Sequence, residues 1–160
     1  MAGHTLVVLR HAKSAYPRGV DDVDRPLADR GRRDAPAAGR WLRADAPAVD
    51  MTVCSPATRA RQTWQLVAPE LAGEPECQVD DRIYAADADS LLAVVRELPE
   101  RVATVLLVGH DPAVTDLVHA LTGDGFEFRT SSVAVVLGSA RWADFGTGGA
   151  TLVSAATPRG

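Results

Sequence analysis

Apolar residues in this chain gather in short unbroken runs, and between the runs they recur every three or four positions. Residues 5–9 (Thr-Leu-Val-Val-Leu), 51–54 (Met-Thr-Val-Cys) and 102–108 (Val-Ala-Thr-Val-Leu-Leu-Val) lack polar alternation, the pattern of strands buried on both faces. Residues 133–137 and 150–155 predict two later strands, the second behind glycine punctuation. A helix is predicted over 29–44, with Ala37, Ala38, Trp41 and Leu42 on one face and Pro36 marking a kink or a later start. Ser55-Pro56 reads as an N-cap followed by proline at the first helical position, opening a helix over 57–66. Residues 90–98 and 112–121 predict two more helices; the second carries Val114, Leu117, Val118 and Leu121 at helical spacing. Segment 71–81 is the least regular internal stretch, and 157–160 reads as a loose tail.

Strand alternating with helix predicts an α/β fold, a three-layer α/β/α sandwich around a mostly parallel sheet. No helical pattern separates the last two strands, so one edge of that sheet should be antiparallel. The 160 residues fit a single domain spanning 1–160. A hydrophobic fraction of 46% argues against disorder, and a net charge of −4 against non-specific nucleic-acid binding. No apolar run reaches the roughly 18 residues of a membrane span, and no signal-peptide pattern opens the chain, so a cytoplasmic location is expected. The two cysteines fit that compartment as free thiols: Cys54 in an apolar run and Cys77 in a polar stretch.

In parallel α/β sheets, chemistry collects at the carboxyl ends of the strands. Here those ends carry Arg10-His11, Ser55 to Arg61, and Gly109-His110. One pocket could therefore hold Arg10, His11, Arg59 and His110. Phosphoryl transfer uses such a set. Guanidinium groups grip the equatorial oxygens, a neutral imidazole attacks phosphorus, and a second imidazole donates a hydrogen bond to the developing charge.

Leu9-Arg10-His11-Ala12 resembles the Arg-His-Gly signature of the histidine phosphatase superfamily, which also holds the phosphoglycerate mutases; Ala12 stands where the signature usually has glycine. Ser55-Pro56-Ala57-Thr58-Arg59-Ala60-Arg61-Gln62-Thr63 is similar to the second motif of that family, and Val108-Gly109-His110-Asp111-Pro112 to the third. The short length, Arg10-His11-Ala12-Lys13-Ser14, and Asp24-Arg25-Pro26-Leu27 before Arg30-Gly31 are similar to the SixA-like phosphohistidine phosphatases. The resemblance implies a phosphoglycerate mutase-like fold and a phosphohistidine intermediate on His11. Arg10 and Arg59 become phosphate clamps, and His110 the opposing imidazole. It implies no metal and no other cofactor.

Many members of the family also use a mid-chain carboxyl group as general acid. Asp87, Asp22 or Asp24 from the first loop, and Asp111 beside His110 are the candidates here. The leading function is hydrolysis of phosphohistidine on a protein. A phosphatase of small esters such as nucleotides or sugar phosphates shares the same four residues. A non-catalytic phosphate-binding module is the reading from another class. Ser55 is assigned a structural role as an N-cap. His4 and His119 receive no role, with His119 on an exposed helix side. Arg61 reads as a solvated neighbour of Arg59, and Trp41, Trp64 and Trp142 as packing residues.

Overall fold

The computed structural model describes residues 3–139 and 141–160. Its strands are β1 (Thr5–Arg10), β2 (Met51–Cys54), β3 (Glu76–Val79), β4 (Thr104–Gly109), β5 (Val133–Leu137) and β6 (Thr151–Ala156). Its helices are α1 (Asp29–Asp45), α2 (Thr58–Val67), α3 (Ala88–Arg96) and α4 (Ala113–Thr122). The strands form one sheet in the order β3-β2-β4-β1-β5-β6. β1, β2, β3 and β4 run parallel, while β5 is antiparallel to both β1 and β6.

The apolar runs 5–9 and 51–54 are strands, and β4 begins at Thr104, two residues later than its pattern predicts, because Val102 closes a turn onto the Pro99 carbonyl. β4 is buried at every position, as a central strand covered on both faces must be. One layer of core joins Leu6, Val8 and Leu107 to α3 and α4, with Trp142 and Phe145 beneath. The other joins Val7, Leu9 and Leu106 to α1 and α2. Alternate side chains of each strand thus feed opposite layers.

Four local expectations change. Segment 71–81 contains β3, whose Glu76, Gln78 and Val79 are exposed at the sheet edge; only Cys77 packs inward, so no apolar run marks the strand. Helix α1 runs unbroken through Pro36; the carbonyl that the proline leaves without a partner belongs to exposed Arg32. Ser55 does not cap α2. Its N–H bonds the Val108 carbonyl as an extension of the sheet, so the chain stays extended and Ala57 precedes the first helical residue. The tail is tied down. Arg159 donates to Asp34 Oδ2 at 3.3 Å and to the Thr130 carbonyl at 2.8 Å, and the Gly160 N–H reaches Asp34 Oδ1 at 3.0 Å. Asp34 is a buried carboxylate on α1, and such a charge needs these partners.

The loop between β1 and α1 forms one wall above the carboxyl edge of the sheet. An isolated bridge joins Ser14 to Leu27, and Ala28 N–H bonds the Lys13 carbonyl. Gly31 lets α1 approach that carbonyl; a Cβ there would run into it.

Candidate active site

Sheet pairing brings the three strand ends together. β4 lies between β1 and β2, with Arg10 opposite Gly109 and Cys54 opposite Val108. His11 N–H then bonds the Gly109 carbonyl at 3.0 Å, and Ser55 N–H bonds the Val108 carbonyl at 3.1 Å. His11, His110 and Ser55 therefore leave the sheet side by side. The two imidazole rings lie 5.1 Å apart between centroids, tilted by 55°.

His11 is buried, and its Nδ1 meets the Ala12 carbonyl at 2.7 Å. A carbonyl only accepts, so Nδ1 carries the proton and Nε2 keeps its lone pair. Burial, first of all, lowers the His11 pKa to about 3 against the pull of the Ala12 bond; the charges of His110, Arg59 and Arg10 push it further down. His11 is thus a neutral imidazole with one free basic nitrogen at neutral pH. Thr63 on α2 fixes the next peptide: its hydroxyl accepts the Ala12 N–H at 3.0 Å and donates to the Arg59 carbonyl at 2.7 Å.

His110 places Nε2 2.7 Å from Ser55 Oγ, while its Nδ1 is buried without a partner among the described residues. Burial lowers its pKa to about 4, with Arg59 adding to the effect and Asp22 opposing it. Tyr84 stands edge-on to the His110 ring at 5.7 Å.

Both arginines reach the same place. Arg59, buried on the first turn of α2, donates Nη1 to the Asp22 carbonyl at 2.7 Å and Nη2 to Asp22 Oδ2 at 3.1 Å. Arg10 donates Nη1 to the Phe128 carbonyl at 2.9 Å. Both guanidinium charges act on the His11 and His110 rings. Among the described residues, the Nε of each is buried without a partner, as is His110 Nδ1. Buried polar atoms left alone cost stability. An anion with several acceptor oxygens would satisfy them. All four residues that the sequence singled out thus converge.

Of the four acid candidates, Asp22 alone joins them. Asp87 caps α3, accepting from the Ser90 N–H at 2.8 Å, and that bond lowers its pKa. Asp111 accepts from the Thr115 hydroxyl on α4. Asp24 is exposed at the end of a 3-10 turn, Asp22–Asp24. Asp22 is at the site, where Tyr84 donates to it at 2.7 Å and Arg25 at 3.0 Å. The Tyr84 bond first, then those from Arg25 and Arg59, hold its carboxyl far below the usual range. Asp22 is therefore an ionised acceptor.

Sequence reasoning missed Ser55, Thr63 and Tyr84 as members of this cluster. Ser55 and Thr63 stood inside the second motif, and an N-cap offered a cheaper explanation for the serine. Tyr84 carries no motif signal; it follows a short 3-10 turn, Asp81–Ile83, beyond the edge strand β3. His119 is exposed, as expected, and His4 packs on Trp142 and reaches the Glu100 carbonyl at 3.0 Å. Among the described residues, no group of three or more His, Cys, Asp or Glu could hold a metal, and no helix is long and apolar enough to cross a membrane.

The sequence profile of the histidine phosphatase superfamily (branch 1) matches residues 6–88, which include Arg10, His11 and Arg59. An uncharacterized protein of Mycobacterium tuberculosis (strain ATCC 25618 / H37Rv) is 40% identical, over 94% of this chain and all of its own length. Among solved structures, a proposed phosphohistidine phosphatase SixA of Nakamurella multipartitia superposes with a TM-score of 0.89 at 34% identity, covering 99% of this chain and 98% of that one. The protein histidine phosphatase SixA complexed with tungstate superposes with a TM-score of 0.83 at 26% identity, covering 96% and 97%. The fold is SixA-like from end to end, and these superpositions extend over the His110 region, beyond the profile match.

Proposed function

The chain belongs to the histidine phosphatase superfamily (branch 1), and on that footing we propose that it hydrolyses phosphohistidine through a covalent phosphoryl intermediate on His11. The observation that carries this reading is the set of buried nitrogens left without partners among the described residues, Arg10 Nε, Arg59 Nε and His110 Nδ1, near a neutral His11. The arginines bind the phosphoryl oxygens. His110 donates through Nδ1 to an oxygen that gains charge in the transition state. His11 Nε2 attacks phosphorus in line, the bond to the leaving nitrogen breaks, and its electron pair stays on the departing imidazole. Water then attacks the phosphoryl group on His11, which releases inorganic phosphate and restores the free imidazole.

The chemistry of the leaving group favours phosphohistidine over an ester. An alkoxide leaves poorly unless an acid protonates it. Asp87 and Asp111 are engaged elsewhere, and Asp22 is ionised by its three donors. A phosphorylated imidazole brings its own proton near neutral pH and leaves as a neutral ring. That argument needs no general acid in the protein.

The test is a phosphatase assay in chelator, comparing a phosphohistidine-bearing protein with nucleotides and sugar phosphates. Faster turnover of the phosphohistidine protein, lost in His11→Ala, is the expected result. Preference for the small esters would overturn the substrate class and leave the mechanism. Binding of phosphate without turnover of either would overturn the enzyme reading in favour of a phosphate-binding module.

A further inference from the structure

The floor of the site is cationic, and an exposed carboxylate stands over it. Arg59 is almost fully covered, with 8% of its side chain exposed, whereas the Asp22 carboxylate that caps it is 56% exposed. Asp22 thus lies on the solvent side of the guanidinium. Attacking and leaving atoms occupy opposite sides of phosphorus, so a nucleophile on the floor sends the leaving group outward past Asp22.

We propose that Asp22 selects the leaving group, favouring a phosphoryl group carried on a cationic partner over one whose partner bears a second anion near phosphorus. The proposal rests on the phosphatase reading above and adds a discrimination to it. Asp22 is well fixed for that task. Its Oδ2 is held by Arg59 at 3.1 Å and Tyr84 at 2.7 Å, its Oδ1 by Arg25 at 3.0 Å, and its carbonyl by Arg59 at 2.7 Å. Exposed Asp21 precedes it and Asp24 follows on the same short turn, adding charge of the same sign to that segment.

The arginine beside Asp22 is held largely within the loop. Arg25 points its Nη1 into the loop, at Ser14 Oγ (2.8 Å) and the Ala15 carbonyl (3.1 Å), and the Tyr16 ring covers its guanidinium at 4.0 Å. An ammonium or imidazolium on the leaving group therefore meets an exposed carboxylate first, and a carboxylate on the leaving group is repelled by it. At a half-exposed site such a contact changes rates by about tenfold.

Three phosphorylated imidazoles test this, sharing one leaving ring: N-phosphorylimidazole, phosphohistamine with its ammonium arm, and phosphorylated imidazole-4-acetate with its carboxylate arm. In the wild type, kcat/KM should fall in the order ammonium, bare ring, carboxylate. In Asp22→Asn the ammonium-to-carboxylate ratio should shrink by about tenfold, and Asp22→Glu should restore most of it. If the variant changes all three rates by a common factor, Asp22 only shapes the site and the proposal falls. If the wild type hydrolyses none of the three, the phosphohistidine reading fails, and this one with it.

Discussion

Ser55 Oγ lies 2.7 Å from His110 Nε2 and accepts the Ala57 N–H at 3.2 Å. In the arrangement proposed for phosphoryl binding, Ser55 gives its one proton to Nε2 while it accepts from Ala57, and the imidazole keeps its own proton on Nδ1. That nitrogen has no partner among the described residues and belongs to the cluster proposed to hold phosphate. Ser55→Ala should therefore lower kcat by about tenfold or more with little change in KM, since the hydroxyl acts through His110 and not on substrate. The ring nitrogen shifts of His110 in NMR should report a single Nδ1–H tautomer in the wild type and a mixture in the variant. The lost acceptor of the Ala57 N–H should cost about 1 kcal/mol of stability by denaturant titration.

Removing the proposed nucleophile is the sharpest test of the site. His11→Ala should reduce kcat by at least a thousandfold, because the donors that remain cannot replace a covalent step. Mass spectrometry of wild type quenched during turnover should find one phosphoryl group on His11, lost in acid. A phosphoryl group on any other residue would reassign the nucleophile.

The folded chain holds His11 near 3 and His110 near 4, whereas an unfolded histidine titrates near ~6.5. Between those values the unfolded chain binds more protons, so stability falls as pH drops from about 6.5 toward 3–4. The urea midpoint should decline across that window and decline less in His11→Gln. Activity follows the same sign: kcat/KM should show no acid limb near ~6.5, and loss should begin only as pH approaches the lowered values.

Asp34 offers a test away from the chemistry. Deleting residues 158–160 removes Arg159 and the Gly160 N–H, and leaves the buried carboxylate with Arg30 at 3.3 Å. The truncated protein should lose about 1–3 kcal/mol of stability while its turnover at 25 °C stays within a factor of two.

Much of this was legible in the sequence for a physical reason. β1, β2 and β4 are buried on both faces and leave unbroken apolar runs, and the residues just beyond them are where a parallel sheet gathers its chemistry. Arg10, His11, Arg59 and His110 could be named on that ground. β3 could not, because an exposed edge strand needs no apolar pattern. The tail looked loose because its anchor, Asp34, lies far away in sequence. Ser55 looked like a helix cap because serine before proline usually is one. Asp22 was weighed as an acid, and only its three donors reveal that it stays charged.

The order of the strands has a consequence for when the protein first becomes able to act. β4 sits between β1 and β2, so the first half of the chain cannot close its own sheet. A chain released from synthesis after residue 88 would already contain Arg10, His11 and Arg59, yet would lack the strand that brings them into line. Catalytic competence therefore arrives late and all at once. On refolding, activity should rise with the slow, non-local pairing of β1 and β4, and should trail any signal from helix formation.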